Sequence, residues 1–316
     1  MPNKILKGIR HPNRIFRQYY RAVDYWPPKN FKKRYWIKFY LVELPIRWIL
    51  QGVVPQRWDG RKFATFFDEH KYVQNFQKVC NTTEEFYVDI GAGDGIDMSN
   101  TFLLAQSGVQ GLAIEGSPIR FSQLAVTYEK FKNIKLVRSY VSSKSISAIL
   151  ESASTPKDFT FLNLDIDSYD LHVLEAILCD YRPKLCVLEW NRFYPPSIYF
   201  SVKDDASIRW DDSSEVFQGA SLGAFEEVLL KFNYKMVDVQ GAALFAVPVE
   251  SEFGGSGKSA QALWKEYLAG PSKWIQTDLK LIKMEIAPLL VEIEKKLLNY
   301  RGLYELRPIT NSDVRI

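Results

Sequence analysis

A chain of 316 residues with 47% hydrophobic content can bury one substantial core. Its net charge of +4 is unevenly spread: residues 1–62 hold 15 Lys or Arg against 3 acids, a net of +12, which leaves −8 on residues 63–316. The three cysteines, Cys80, Cys179 and Cys186, lack metal-ligand spacing, which disfavours a zinc site and points to a reducing, cytoplasmic setting.

Residues 1–80 read as a helical arm, basic and interleaved with Phe16, Tyr19, Tyr20, Tyr25, Trp26, Tyr35, Trp36 and Trp48. Basic helices carrying Trp and Tyr settle at membrane interfaces, so an anionic membrane surface is the expected partner of residues 1–62. The same ingredients suit RNA phosphates and bases, but no RNA-binding fold accompanies them, and nucleic acid ranks lower. A solvated or core-packing cap is the third option. The most apolar stretch, Tyr35 to Val54, is interrupted by Lys38, Glu43, Pro45 and Arg47, so no bilayer span is expected. The opening Met1 to Arg21 lacks the apolar run of a leader peptide.

Phe86-Tyr87-Val88 predicts a short buried strand that runs into Asp89-Ile90-Gly91-Ala92-Gly93-Asp94-Gly95 and then a helix over Met98 to Ala105. Glycines at such a bend let a nucleotide-like ligand approach the backbone, and a helix start offers free N–H groups. The dinucleotide pattern G-x-G-x-x-G is not met, because its third position falls on Ile96. Gly111 to Ile114 predicts the second strand, ending in Glu115-Gly116-Ser117-Pro118, where an acid can accept from ribose hydroxyls. A nicotinamide enzyme would place an acid there too. The third strand, Lys135 to Val137, leads into Arg138-Ser139-Tyr140.

Phe159 to Leu164 predicts a fourth strand opening into Asp165-Ile166-Asp167-Ser168-Tyr169-Asp170, followed by a helix over Leu171 to Leu178. A fifth, Leu185 to Leu188, ends in Glu189-Trp190-Asn191. Asp89, Glu115, Asp165 with Asp167, and Glu189 thus gather carboxylates on one sheet edge. A helix over Gly219 to Phe232 and strands over Tyr234 to Val239 and Ala243 to Val247 close the pattern. After the glycine-rich loop Ser251 to Gly257 come helices over Ser259 to Leu268 and Asp278 to Tyr300. The apolar stripe of the latter, including Leu289, Ile293 and Leu297, can pack on the arm, the core or a second subunit, which makes a homo-oligomer one option.

The glycine bend resembles motif I of class I S-adenosylmethionine (SAM) dependent methyltransferases. Together with Ile-Glu-Gly-Ser-Pro, Leu-Asp-Ile-Asp and Leu-Glu-Trp-Asn, residues 85–248 resemble the FkbM-type family. The resemblance implies an α/β fold: a Rossmann-like seven-stranded sheet, mostly parallel with an antiparallel last strand, as a methyltransferase domain over residues 81–250. Helical extensions over 1–80 and 251–316 flank it. It also implies SAM as cofactor, held by Asp89, Gly91, Ala92, Gly93, Glu115, Gly116, Ser117 and Asp165. Two departures stand out: Ser168-Tyr169 follow Asp167 where relatives have an acid and glycine, and no acid follows the third strand, so no adenine contact is assigned.

Methyl transfer to a hydroxyl needs in-line placement and removal of a proton, by a base or a metal-lowered pKa. Asp165, Asp167, His172 and Glu189 are the catalytic candidates, and Asp165, Asp167 and Glu189 are hard oxygen ligands suited to Mg²⁺. The duller readings are that Asp165 and Asp167 cap the next helix and that His172 is an ordinary surface histidine. The stiff loop Asn191 to Pro196, with Arg192, and the segment Trp210-Asp211-Asp212 with Gln218 are expected around an acceptor cleft. The expected activity is O-methylation of a sugar, glycan or lipid-linked glycan hydroxyl at a membrane surface, in the cytoplasm. A nicotinamide-dependent oxidoreductase, an RNA methyltransferase using the basic arm, and a non-catalytic membrane module are the alternatives.

Overall fold

A computed structural model of the chain describes residues 69–80, 85–205, 208, 216–271 and 284–309. The chain divides into two compact units, Met1–Phe63 and Ala64–Ile316. The basic arm over 1–62 and the segment Trp210-Asp211-Asp212 lie outside the described residues. No described helix is long and apolar enough to cross a membrane.

In the second unit, α1 (Glu69–Cys80) precedes β1 (Phe86–Ile90), α2 (Phe102–Gln106), β2 (Gln110–Glu115), α3 (Pro118–Thr127), β3 (Ile134–Arg138) and α4 (Ile146–Ser152). Then come β4 (Phe161–Leu164), α5 (Asp170–Asp180), β5 (Leu185–Glu189), β6 (Ile198–Val202), α6 (Leu222–Lys231), β7 (Tyr234–Gln240) and β8 (Ala243–Pro248). Strands β1, β4 and β8 are buried at every position, which is why they read as nearly unbroken apolar runs. The seven-stranded sheet has the order β3-β2-β1-β4-β5-β8-β7. Strands β1 to β5 pair in parallel, and β8 is antiparallel to both β5 and β7.

Alternation along the strands feeds two cores. Val88, Ile90, Leu162, Leu164 and Leu188 pack with Leu150, Leu174, Ile177 and Phe225 of α4, α5 and α6. Tyr87, Ala113, Phe161, Val187 and Phe245 face the other way, onto Val73, Phe76, Leu104 and Leu124 of α1, α2 and α3. The seven-stranded, mostly parallel sheet with an antiparallel member is the one expected from the sequence.

Several boundaries differ from the sequence reading. Residues 98–101 are not helical: Met98 has φ +57 and the helix begins only at Phe102. Local polar side chains explain the delay. The Asp94 carboxylate accepts from the Ile96 and Asp97 N–H groups (3.0 and 2.8 Å), and Ser99 Oγ accepts from Thr101 and Phe102 (3.2 and 3.0 Å), so the backbone closes turns instead. The glycine bend is therefore not followed at once by a helix N-terminus. The loop after β5 also folds inward rather than lying extended: Tyr194, Pro195 and Pro196 are buried, and Tyr194 stacks on Phe200 at 4.1 Å. Asn191 sets that bend, accepting from Phe193 N (2.9 Å) and donating through Nδ2 to Gln218 O (2.9 Å).

The C-terminal segment packs into this same unit. Helix α7 (Ala260–Ala269) buries Leu263, Trp264 and Tyr267, and the latter two meet Trp190 edge-on at 5.9 and 5.1 Å. Helix α8 (Ile286–Lys296) ends in a 3₁₀ turn, Leu298–Tyr300, and Leu289, Ile293 and Leu297 of the apolar stripe join the chain's own core. To these helices the structure adds a strand, β9 (Tyr304–Pro308), which pairs antiparallel with β6 in a two-stranded sheet.

Candidate active site

Gly91 adopts φ +87 where β1 ends, and a Cβ there would collide with the backbone carbonyl of Asp165 at the end of β4. Only glycine fits such an approach. The N–H groups of Gly91 and Ala92 both donate to Ile114 O at 3.0 Å, tying the bend to β2. Gly93, at φ +58, faces open space: a Cβ there would meet nothing nearer than Arg120 Nη1, at 3.9 Å.

The Glu115 carboxylate, at the end of β2, accepts from Gly93 N (2.9 Å) and Ser117 N (2.6 Å). Burial pushes its pKa up; the Ser117 N–H bond, the Arg120 charge and the Gly93 N–H bond oppose that. Ser117 also caps α3 by accepting from Arg120 N, so one turn orders the glycine bend, the acid and the start of the helix.

These groups border an open cleft. Gly91, Glu115, Gly116, Arg120, Ser139, Tyr140, Asp165, Asp167 and Tyr169 are on its wall, with Ile208 beside them. The Tyr140 ring packs so closely on Gly116 that a Cβ there would overlap it. Of the residues selected from sequence, Gly91, Glu115, Gly116, Asp165 and Asp167 line the cleft, whereas Asp89, Ala92, Gly93, Ser117, His172 and Glu189 do not form its wall.

Asp89 instead supports the bend from behind. It is buried, accepts from Thr101 Oγ1 (2.5 Å) and Asn163 Nδ2 (2.9 Å), and Asn163 Oδ1 in turn accepts from Asn100 Nδ2 (2.9 Å). Expected from the sequence to hold the ligand, the carboxylate faces these protein donors. His172 lies on the first turn of α5, half-buried, with Nε2 enclosed and without a hydrogen-bond partner. Nothing places it with the acids.

Asp165, Asp167 and Glu189 do come together. Each offers a carboxylate oxygen within 4.8 Å of the others; Asp165 is exposed to the cleft, Asp167 and Glu189 half-buried. Burial, then the negative charge of Asp167, pushes Asp165 up to about 8, opposed by a hydrogen bond with Glu189. The exposure of Asp165 to the cleft tempers that rise. Burial raises Asp167 as well, and burial with both aspartates raises Glu189. Three carboxylates this close do not all ionise without a cation, so they share protons.

The cluster owes its shape to Asp170, which sequence reasoning did not select. Its buried carboxylate accepts from Ile166 N (2.8 Å) and Ser168 N (3.0 Å), folding the turn in which Asp167 sits at φ +55. Asp165 and Asp167 do not cap α5: its N-cap residue is Tyr169, with no side-chain cap bond. Arg120, Ser139 and Tyr140 on the cleft wall were likewise not selected. Only the position of Ser139 and Tyr140 just past a strand end hinted at them.

The strand order, the glycine bend and the acid ending β2 together define the Rossmann-like methyltransferase fold. No family model matches the chain, and no curated protein matches it. Among solved structures, it is similar to a TehB-like SAM-dependent methyltransferase from Corynebacterium glutamicum at 14% identity, covering 63% of this chain and 97% of that one, with a TM-score of 0.37. A SAM-dependent methyltransferase from Aquifex aeolicus shares 16% identity, over 61% and 95% of the two chains, with a TM-score of 0.32. The N-terminal domain of EvdMO1, crystallised with S-adenosylhomocysteine (SAH), shares 12% over 57% and 79%, at 0.37.

Proposed function

We propose that the protein is a SAM-dependent methyltransferase of FkbM type that methylates a hydroxyl of a sugar or glycan. The observation that carries this reading is the Glu115 carboxylate, fixed by Gly93 N and Ser117 N at the rim of a cleft whose wall also bears Asp165 and Asp167. An ionised carboxylate has about four lone-pair sites, so Glu115 keeps acceptor capacity for ribose hydroxyls after its two backbone bonds. The remaining acids favour a cationic sulfonium nearby.

Bound in this cleft, SAM would supply a methyl group for in-line transfer from sulfur, which would keep the bonding electron pair, to an acceptor oxygen. The acceptor's proton would pass to a carboxylate of the Asp165–Asp167–Glu189 cluster. Raised proton affinity suits these groups to that task. Their three oxygens, within 4.8 Å of one another, also fit a Mg²⁺ ion, which would lower the pKa of an acceptor hydroxyl. The +12 charge of residues 1–62 and their aromatic residues support docking on an anionic membrane surface that carries the acceptor.

Calorimetry of the folded protein with SAH tests the cofactor, with NAD as the competing ligand. SAH binding without NAD binding is expected; no SAH binding overturns the reading. Methyl transfer from labelled SAM to a panel of glycans, with and without residues 1–62 and anionic vesicles, tests the acceptor and the arm.

A further inference from the structure

The cleft that receives the cofactor in this reading is acidic. Glu115, Asp165 and Asp167 stand on its wall, and Arg120 is the one Lys or Arg among the described residues that line it. The N-terminal turn of α3 places it: Ser117 caps the helix, Pro118 occupies the first turn, and the half-buried Arg120 side chain brings Nη1 to 3.9 Å from where a Cβ on Gly93 would stand. The guanidinium thus lies over the open face of the glycine bend. Its charge partly opposes the burial that raises the proton affinity of Glu115 and Asp167 on the two walls and of Asp94 in the bend.

SAM presents three demands to such a cleft. Ribose hydroxyls need acceptors, the sulfonium and ammonium favour negative charge, and the amino-acid tail ends in a carboxylate that the acids repel. The first two are met by Glu115, Asp165 and Asp167. Backbone N–H groups can take part in the third, and a guanidinium meets it with both positive charge and a planar pair of N–H donors matched to a carboxylate.

We infer that Arg120 is a specificity-determining residue that receives the α-carboxylate of the cofactor's amino-acid tail over Gly93. This rests on the SAM reading above and extends it by assigning one end of the ligand to one side chain. The ligand class it selects is a nucleoside thioether or sulfonium bearing a free α-carboxylate.

SAH and 5′-methylthioadenosine share adenine, ribose and a thioether sulfur, but only SAH has the amino-acid tail. Calorimetry with both, on wild type, Arg120→Gln and Arg120→Lys, isolates the contact. Wild type should prefer SAH. Arg120→Gln should weaken SAH about tenfold or more and 5′-methylthioadenosine by less than about twofold, erasing the preference. Arg120→Lys, which keeps the charge but not the fork, should fall between them and guards against a folding defect in the glutamine variant.

Equal weakening of both ligands by Arg120→Gln would overturn the inference, because the side chain would then serve adenosine or the loop. Unchanged SAH affinity would overturn it as well. Tighter SAH binding would do the same, by placing Arg120 against the ammonium. Failure of wild type to bind either thioether is a different result, seen before any variant is made, and removes the cofactor reading itself.

Discussion

The two walls of the cleft handle their carboxylates in opposite ways. On the β2 side, Glu115 is held by two backbone N–H groups and faces the positive Arg120, so its charge is stabilised within the folded backbone. On the β4 side, Asp165 and Asp167 face each other and Glu189 at the end of β5, with no backbone donor to these carboxylates among the described residues and with Asp170 adding a further negative charge. One wall is prepared to hold a ligand, the other to take up a proton or a cation. A binding group gains from a satisfied, rigid setting, whereas a group that must accept a proton gains from an unsatisfied one.

The largest effect should come from breaking the contact that joins the walls. Gly91→Ala puts a methyl group into the Asp165 carbonyl at φ +87, so we expect a loss of about 3 kcal/mol or more in urea unfolding and no measurable SAH binding. Full binding by this variant would show that the bend and β4 are not coupled as described. Next, Asp170→Ala strips the acceptor from Ile166 N and Ser168 N, at a cost of about 2–4 kcal/mol. It should reduce methyl transfer far more than SAH affinity, because only the acid-rich wall loses its turn. Equal loss of both would merge the two walls into one unit.

Glu115→Gln keeps the size of the side chain but turns an amide towards two N–H donors, and should weaken SAH by about tenfold while leaving the cluster's pH behaviour intact. The smallest expected effect, because solvent at the exposed Asp165 carboxylate screens it, is the pH dependence of stability. Asp165 has an ordinary value of 3.8 and rises to about 8 in the folded protein, so between these limits the native state keeps a proton that the unfolded chain releases. Stability therefore falls as pH rises through that window. Asp165→Asn should flatten the fall and raise the urea midpoint at pH 8, and Mg²⁺ should raise the wild-type midpoint at pH 8 more than at pH 5. A wild-type midpoint that climbs from pH 4 to 8 would contradict the crowded-acid picture.

Much of this was legible in the chain itself where the signal is local. Strands β1, β2, β4 and β5 are short apolar runs, each with an acid at or next to its end, and the glycines mark the bend between β1 and the next helix. Residues with two competing local options were harder to read. Met98 fits a helical pattern, but Asp94 and Ser99 spend their side chains on turn hydrogen bonds that stop the helix forming before Phe102. Asp89 was readable as an acid at a strand end, while its orientation depended on Thr101 and Asn163, residues that no motif marks.

What the sequence by itself determined is the order of elements and the delivery of carboxylates to one sheet edge, because apolar periodicity and glycine punctuation act between near neighbours. Tertiary structure alone decided which acids meet and what each one faces. Gly91 against the Asp165 carbonyl, Arg120 over Gly93, and β9 beside β6 join positions far apart in the chain. Such contacts are selected by packing and charge in the closed fold, where a side chain's partners come from every strand end at once.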